Sequence, residues 1–387
     1  MDSLRRCLPG RIRRALHELP GTLDATYERT LLDIDEQNWE YAHRLFQCIA
    51  VAARPLRVEE LAEFLAFDFD GGDDPRFEAD WRPEDPEDAV LSTCSSLIAV
   101  VNIGDATFVQ FSHFSVKEFL TSNRMAQGPV SRYHILLEPA HLTITRVCLT
   151  VLLRLDGSVN KAVIKHIPLA FYAARYWIDH AKFGNVALHA QDGIQRVFDP
   201  NEPYFSAWAW LEDYDENRES ISNTPSTPEV PPLHRAGRET LDRIADWLIT
   251  SRSLDPDEHY GHKTPLYDAS GRGNVEMAQV LIKHGADPNA GGTFGWRPLH
   301  FASNNGRLEI VRLLARSGAN VNARDNDDWT PLLLATVEGH LEVVRALLET
   351  GADPNVQCWD GTPLHWALER DHSEIVQLLR QYGALNV

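Results

Sequence analysis

Thr264-Pro-Leu-Tyr-Asp-Ala269, Arg297-Pro-Leu-His-Phe-Ala302, Thr330-Pro-Leu-Leu-Leu-Ala335 and Thr362-Pro-Leu-His-Trp-Ala367 are four versions of one hexapeptide. A weaker copy, Pro231-Pro-Leu-His-Arg-Ala236, precedes them. The Pro-Leu pairs start at 232, 265, 298, 331 and 363, so the intervals are 33, 33, 33 and 32 residues. A second signal keeps the same phase: Gly285-Ala-Asp-Pro-Asn289, Gly318-Ala-Asn-Val-Asn322 and Gly351-Ala-Asp-Pro-Asn355, then Gly383-Ala384. Self-similarity at this period marks a stack of supersecondary units. Thr caps a helix N-terminus, and Pro at the first helical position gives up only an amide that has no helical partner. Leu299 and Ala302 turn one face toward the neighbouring unit. Gly273, Gly306 and Gly339 end the first short helix of their units. Val275–Ile282, Leu308–Leu314 and Leu341–Leu348 then read as second helices with apolar i, i+3, i+4 faces. Gly285, Gly318 and Gly351 supply a left-handed residue after them, and Asp-Pro-Asn turns the chain into a projecting loop.

Residues 231–387 resemble ankyrin repeats. Five are expected, at about 231–263, 264–296, 297–329, 330–361 and 362–387. The departures fall at the ends: Thr240 and Asp371 stand where the middle three repeats have Gly. Terminal repeats lack one neighbour, so divergent caps are expected. Most signature residues build the stack and catalyse nothing.

Composition bounds the rest. The chain has 387 residues, 43% apolar content and a net charge of −19. No apolar run reaches the roughly 18 residues of a membrane-spanning helix, so no membrane role is expected. The five cysteines (Cys7, Cys48, Cys94, Cys148, Cys358) are scattered, never CxxC, and read as buried thiols rather than bridges or zinc ligands. The acidic balance weighs against nucleic acid as a partner, because affinity for phosphate backbones comes from clustered Lys and Arg. Arg5, Arg6, Arg11, Arg13 and Arg14 could suggest a mitochondrial presequence, but Asp2 and Pro9-Gly10 interrupt it. The expected compartment is the cytoplasm, with the nucleus as an option.

The overall expectation is a mainly α chain in five parts: a helical segment (1–34), an α+β winged-helix-like domain (35–125), a helical domain (126–215), a linker (216–230) and the repeats (231–387). In the second part, helices are expected near Glu40–Ala53, Val58–Phe67 and Pro86–Ser95. The acidic segment Asp68–Asp88 separates the last two, and it holds ten acids against Arg76 and Arg82. Leu97–Asn102 and Thr107–Ser112 around Gly104-Asp105 read as a hairpin, followed by a helix at Phe114–Ser122. Downstream, Leu142–Leu155, Leu169–Ile178 and the group Phe205, Trp208 and Trp210 suit amphipathic helices with a core role. The linker is rich in Ser, Thr and Pro.

Three stretches carry a second likeness: Leu19-Pro-Gly-Thr-Leu-Asp-Ala-Thr-Tyr-Glu-Arg29, Pro55-Leu-Arg-Val-Glu-Glu-Leu61 and Phe111-Ser-His-Phe-Ser-Val-Lys-Glu-Phe-Leu120. They resemble the region after the NTPase core of fungal NACHT–ankyrin proteins, signal-transduction NTPases similar in plan to NOD-like receptors. That resemblance implies a P-loop domain ahead of the winged helix and a repeat sensor behind it. No G-x-x-x-x-G-K-[ST] string occurs in this chain. The expectation is therefore the C-terminal part of such a protein, with an NTPase domain in a longer form or another chain. In NOD-like receptors with a similar Phe-x-His-x5-Phe stretch, the winged-helix His faces the ADP β-phosphate. By resemblance His113 takes that place, read here as a relic nucleotide sensor or a packing residue.

Catalytic patterns are absent from the sequence: no G-x-S-x-G elbow and no H-E-x-x-H pair. His234, His300 and His365 are assigned to ties between repeat loops, and Asp325-Asn-Asp-Asp328 lacks the Gly and distal Glu of an EF-hand. No cofactor, metal or catalytic residue is expected. The expected working part is the solenoid surface, with a protein as partner. Tyr260, Phe294, Trp296, Trp329 and Trp359 lie at its loops. Asp268, Phe301, Asn304, Asn305, Glu338, Trp366 and Arg370 lie on its short helices. Trp, Tyr and Arg dominate binding hot spots, although such rings can also lie flat on adjacent loops. Two other readings stay open: a standalone ankyrin adaptor with a degenerate N-terminal half, and a winged-helix DNA binder whose last helix offers mainly Lys117.

Overall fold

The computed structural model describes residues 23–72, 74–155, 159–213, 224–225, 230–359 and 361–385. The expected segment 1–34 is thus described only from Leu23, and most of the expected linker lies outside the described residues, as does Cys7. By contact the chain forms two compact units. One runs to Val197 and takes in Ser206–Ser226; the other comprises Phe198–Phe205 and Thr227–Val387.

In the first unit, α1 (Leu23–Leu32) and α2 (Trp39–Val51) precede strand β1 (Leu56–Arg57) and α3 (Val58–Glu63). Arg54 grips Glu60 with both guanidinium nitrogens (2.7 and 2.6 Å), and Glu60 also accepts the Arg57 amide at 2.8 Å. That buried carboxylate fixes the entry to α3. The expected helix to Phe67 stops early. A 3-10 turn, Phe64–Ala66, leads instead into β2 (Phe67–Asp68), which pairs with β3 (Arg76–Phe77) in register Phe67↔Phe77 and Asp68↔Arg76. Part of the acidic segment is therefore a small hairpin, which the alternation of Asp with aromatic residues concealed.

Helix α4 (Pro86–Cys94) leads to β4 (Ile98–Ile103) and β5 (Ala106–Phe111), the hairpin expected around Gly104. Strand order is β1-β5-β4, all antiparallel, with Leu56 opposite Val109 and Val100 opposite Val109 on the other edge. Helix α5 (Phe114–Leu120) closes this winged-helix arrangement. The next helices are α6 (Leu137–Leu152), α7 (Lys161–Ile164), α8 (Ala170–Ala181), α9 (Val186–His189), α10 (Gln191–Phe198) and α11 (Tyr204–Asp213).

The expected boundary at 125/126 does not separate two cores. Tyr133 packs against Trp39 and Phe46, and the Ala53 amide donates to the Tyr172 hydroxyl at 3.1 Å. Shared aromatic burial holds the two parts as one unit. Behind Tyr172 runs a polar chain: Tyr172 Oη lies 2.8 Å from His180 Nε2, and His180 Nδ1 lies 2.8 Å from His141 Nδ1. With both rings neutral the contacts are met in either of two orders of donation, Tyr172 to His180 to His141 or the reverse, depending on the tautomers. Burial pulls His180 down to about 4 and His141 the same way, so both rings are neutral near pH 7.

Among the described residues the second unit carries five helix pairs. They are α12 (Pro232–Arg238) with α13 (Asp242–Arg252), α14 (Pro265–Arg272) with α15 (Val275–Lys283), α16 (Pro298–Asn304) with α17 (Leu308–Arg316), α18 (Pro331–Val337) with α19 (Leu341–Glu349), and α20 (Pro363–Glu369) with α21 (Ser373–Gln381). Thr264, Thr330 and Thr362 accept the amides of Tyr267, Leu333 and His365, as capping requires. Thr240 and Asp371 adopt φ 59° and 58°, close to Gly306 at 68°. They occupy the left-handed position despite the missing Gly, so the stack keeps its geometry to both ends. No helix among the described residues is long and apolar enough to cross a membrane.

Candidate protein-interaction surface

Which loop side chains are free depends on which ones the stack uses. Asn289, Asn322 and Asn355 each serve two bonds to the next repeat. Asn322 Nδ2 donates to the Gly351 carbonyl at 3.1 Å, while its Oδ1 accepts the Asp353 amide at 2.8 Å. Asn289 treats Gly318 and Asn320 alike, and Asn355 does so with Gly383 and Leu385. The sequence reading took these residues only as turn formers; their 33-residue spacing at an exposed edge was the available signal. A second ladder links His340 Nε2 to the Asn304 carbonyl at 3.1 Å and His372 Nε2 to the Val337 carbonyl at 3.3 Å.

His300 does tie loops together. Its Nε2 faces the carbonyls of Ala323 and Trp329 at 3.1 and 3.3 Å, and its Nδ1 accepts the Arg297 amide at 3.1 Å. His234 likewise reaches the Glu258 carbonyl at 2.8 Å. His365 corrects the expectation. It is exposed, and its ring lies 3.3 Å from Glu369 on its own helix, since no later loop among the described residues receives it.

Asp268 also departs from its expected surface role. It is 6% exposed, 3.4 Å from His234 Nδ1 and 3.5 Å from Arg238 Nε. Burial works to raise its carboxyl, but the His234 hydrogen bond and the Arg238 charge outweigh this and hold it below the usual carboxylate range. Such a group belongs to the repeat junction. Tyr260 is half-buried beside His234 and Arg238. Asn305 Nδ2 donates to the Phe301 carbonyl at 2.8 Å, and Asn304 lends its carbonyl to His340.

The aromatics divide into two groups. Trp296, Phe301, Trp329 and Trp366 are half-buried and packed. Trp296 Nε1 donates to Asp325 Oδ2 at 2.9 Å, Phe301 stacks on Tyr267 at 4.8 Å, and Trp329 meets Trp366 at 5.6 Å over Leu333, Val356 and Cys358. Asp325 Oδ1 further accepts the Asp327 and Trp329 amides at 2.9 and 2.8 Å, so its carboxylate is shared between its own loop and Trp296 of the preceding repeat. Phe294 and Trp359, by contrast, are 72% and 82% exposed. Phe294 moreover sits at φ 59°, a conformation that costs a β-substituted residue about 1 kcal/mol. Glu338 and Arg370 are exposed, with Arg370 near the Trp366 ring at 6.0 Å.

His113 belongs to the first unit and is exposed at the start of α5. Its ring accepts the Ser115 amide at 3.3 Å and contacts Ser115 Oγ at 2.6 Å, and Ser115 Oγ reaches the Tyr27 hydroxyl at 2.8 Å. The ring works as a helix cap, a task that accounts for its position without a nucleotide.

Comparison with known proteins agrees with this architecture. Residues 233–325, 289–358 and 318–387 match the model for ankyrin repeats, and residues 28–129 match the winged helix domain of GPI inositol-deacylase. The chain is 30% identical over 295 residues to azaphilone pigments biosynthesis cluster protein L of Monascus ruber, across 70% of this chain and 61% of that protein. It thus spans about three fifths of that relative's length.

Proposed function

We propose that this chain is a non-catalytic protein-interaction module whose ankyrin surface captures a protein partner. The observation that carries this reading is the pair Phe294 and Trp359. Both are large apolar rings held in solvent on loops whose neighbouring rings are packed. Aromatic anchors that the fold does not need are the residues from which hot spots are built. The strained backbone at Phe294 fits the same reading, since strain persists where a function selects for it.

The N-terminal unit supports a NACHT-type placement. Its winged helix and the stretches around Pro55 and Phe111 resemble the segment between an NTPase core and a sensor. In that arrangement, partner capture by the repeats is passed through the winged helix to a nucleotide domain in a longer form or another chain. The standalone adaptor is the other reading, and reading the genome upstream of Met1 for an in-frame P-loop separates the two.

The test is affinity capture from the native host with wild type, a Phe294→Ala/Trp359→Ala double variant and a chain lacking residues 231–387. The expected result is a specific protein retained by wild type and lost in both variants, while the double variant keeps the wild-type melting temperature. An unchanged captured set in all three would exclude the repeats as the working surface.

A further inference from the structure

The hairpin β2–β3 forms one wall of a hollow of about 540 Å³ in the first unit. Arg76 comes from β3, Arg154 from the turn after α6, and Arg196 from α10; Phe77, Gly71 and Asp74 complete the lining that matters. Helix α6 is fastened to this wall by the Thr150 hydroxyl, which donates to the Pro75 carbonyl at 3.2 Å. The three guanidinium groups come from three separate elements, so only the tertiary fold brings them to one place.

Among the described residues none of the three has a carboxylate within 4.0 Å, in a chain with 56 acidic and 37 basic residues. Other arginines of the same unit are paired: Arg54 with Glu60 and Arg82 with Glu63. Arg154 lies flat on the Phe77 ring at 3.6 Å. Burial pulls its guanidinium below the ordinary value, and the charge of Arg82 adds to that while Glu63 opposes it. The Arg76 guanidinium rests against the backbone of Gly71, where an added Cβ would meet it at 3.4 Å. Among the described residues, Asp74 on the rim, Asp68 across the strand pair from Arg76, and Glu63, whose charge reaches Arg154, are opposing charges.

We infer that this hollow is a binding site for a compact phosphorylated metabolite carrying at least two negative charges. Planar guanidiniums match phosphoryl oxygens through paired N–H donors, and three arginines line this hollow with no ion-pair partner among the described residues. The volume falls in the range of small-ligand pockets, roughly 300–1,000 Å³. A long polyanion such as DNA or an anionic membrane meets the field of the whole acidic chain, whereas a small ligand inside the hollow meets mainly the arginines. Beyond a screening length of about 8 Å the surrounding acids lose most of their effect. The proposal stands apart from the capture of a protein by the repeats, and neither depends on the other.

The experiment is isothermal titration of the full chain with pyrophosphate in about 150 mM NaCl. One site per chain is expected, with a Kd of about 10–100 µM. Arg196→Ala and Arg76→Ala, both at exposed positions, should each weaken binding about tenfold with an unchanged circular dichroism spectrum. Asp74→Asn should tighten it a few fold. ADP binding within a few fold of pyrophosphate supports recognition through phosphates; ADP binding about a hundredfold tighter overturns it in favour of a nucleotide site. The inference also fails if no heat is seen at about 5 mM pyrophosphate, if an Arg154→Ala/Arg196→Ala double variant binds as well as wild type, or if citrate matches pyrophosphate.

Discussion

Phe294 shows how a single side chain reports on function. Replacing it with glycine removes the left-handed strain at φ 59° and deletes an exposed ring. Phe294→Gly is expected to leave stability unchanged or raise it by up to about 1 kcal/mol, while partner capture falls. Denaturant unfolding together with the capture assay checks both halves. Trp329→Ala should do the opposite. That ring covers Leu333, Val356 and Cys358, so its loss should cost about 2 kcal/mol or more. A Trp329→Ala variant with an unshifted melting temperature would mean the ring is not packing. Gly306 is the converse case. It has φ 68°, and an added Cβ would stand 2.8 Å from the His340 ring, so Gly306→Ala should cost about 1–3 kcal/mol. Where Thr240 replaces this Gly, the residue 34 positions on is the short Asn274, whose side chain turns to cap its own helix.

At the scale of the element, the repeats are joined by hydrophobic faces and by the asparagine ladder. Asn322→Ala removes one donor and one acceptor from the junction of consecutive repeats. The expected loss is about 1–2 kcal/mol, with a broader unfolding transition as neighbouring repeats uncouple. Equilibrium urea unfolding would show this as a lower midpoint and a lower apparent m-value; an unaltered transition would mean that helix packing alone couples the repeats. In the N-terminal unit, the corresponding ties are buried carboxylates. Glu60 is held by Arg54 and by the Arg57 amide, and Glu63 by Arg82. For Glu63, burial raises the carboxyl more than Arg82 and Arg154 lower it.

For the whole molecule, pH acts in two windows. His180 is held near 4 against an ordinary 6.5, and His141, His43 and His300 are displaced downward as well, all chiefly by burial. The unfolded chain binds these protons more readily, so stability is lost as pH falls from about 6.5 toward 4, by about 3 kcal/mol for His180 alone. Asp199, Asp246 and Asp268 are displaced below the usual carboxylate range by their basic partners. Their contribution persists above that range and fades only below about pH 4. Thermal melts from pH 8 to 3 should show an early decline in the first unit that His180→Gln reduces, and a later one that it does not.

Local chemistry explains how much could be read in advance. Period, caps, turns and left-handed positions are written in neighbouring residues, so the five helix pairs and the β4–β5 hairpin were legible locally; the exposure of Phe294 and Trp359 was not, since the same loop positions also hold the packed Trp296 and Trp329. The β2–β3 pair was not legible, because two-residue strands owe their existence to partners across a loop. Asp268 read as surface and proved buried, because its partner His234 lies one repeat away. The joining of the winged helix to the later helices, the His141–His180 contact and the meeting of Arg76, Arg154 and Arg196 are products of distant segments packing together. No periodicity encodes them, since the free energy that places those groups comes from burial shared between segments far apart in the chain.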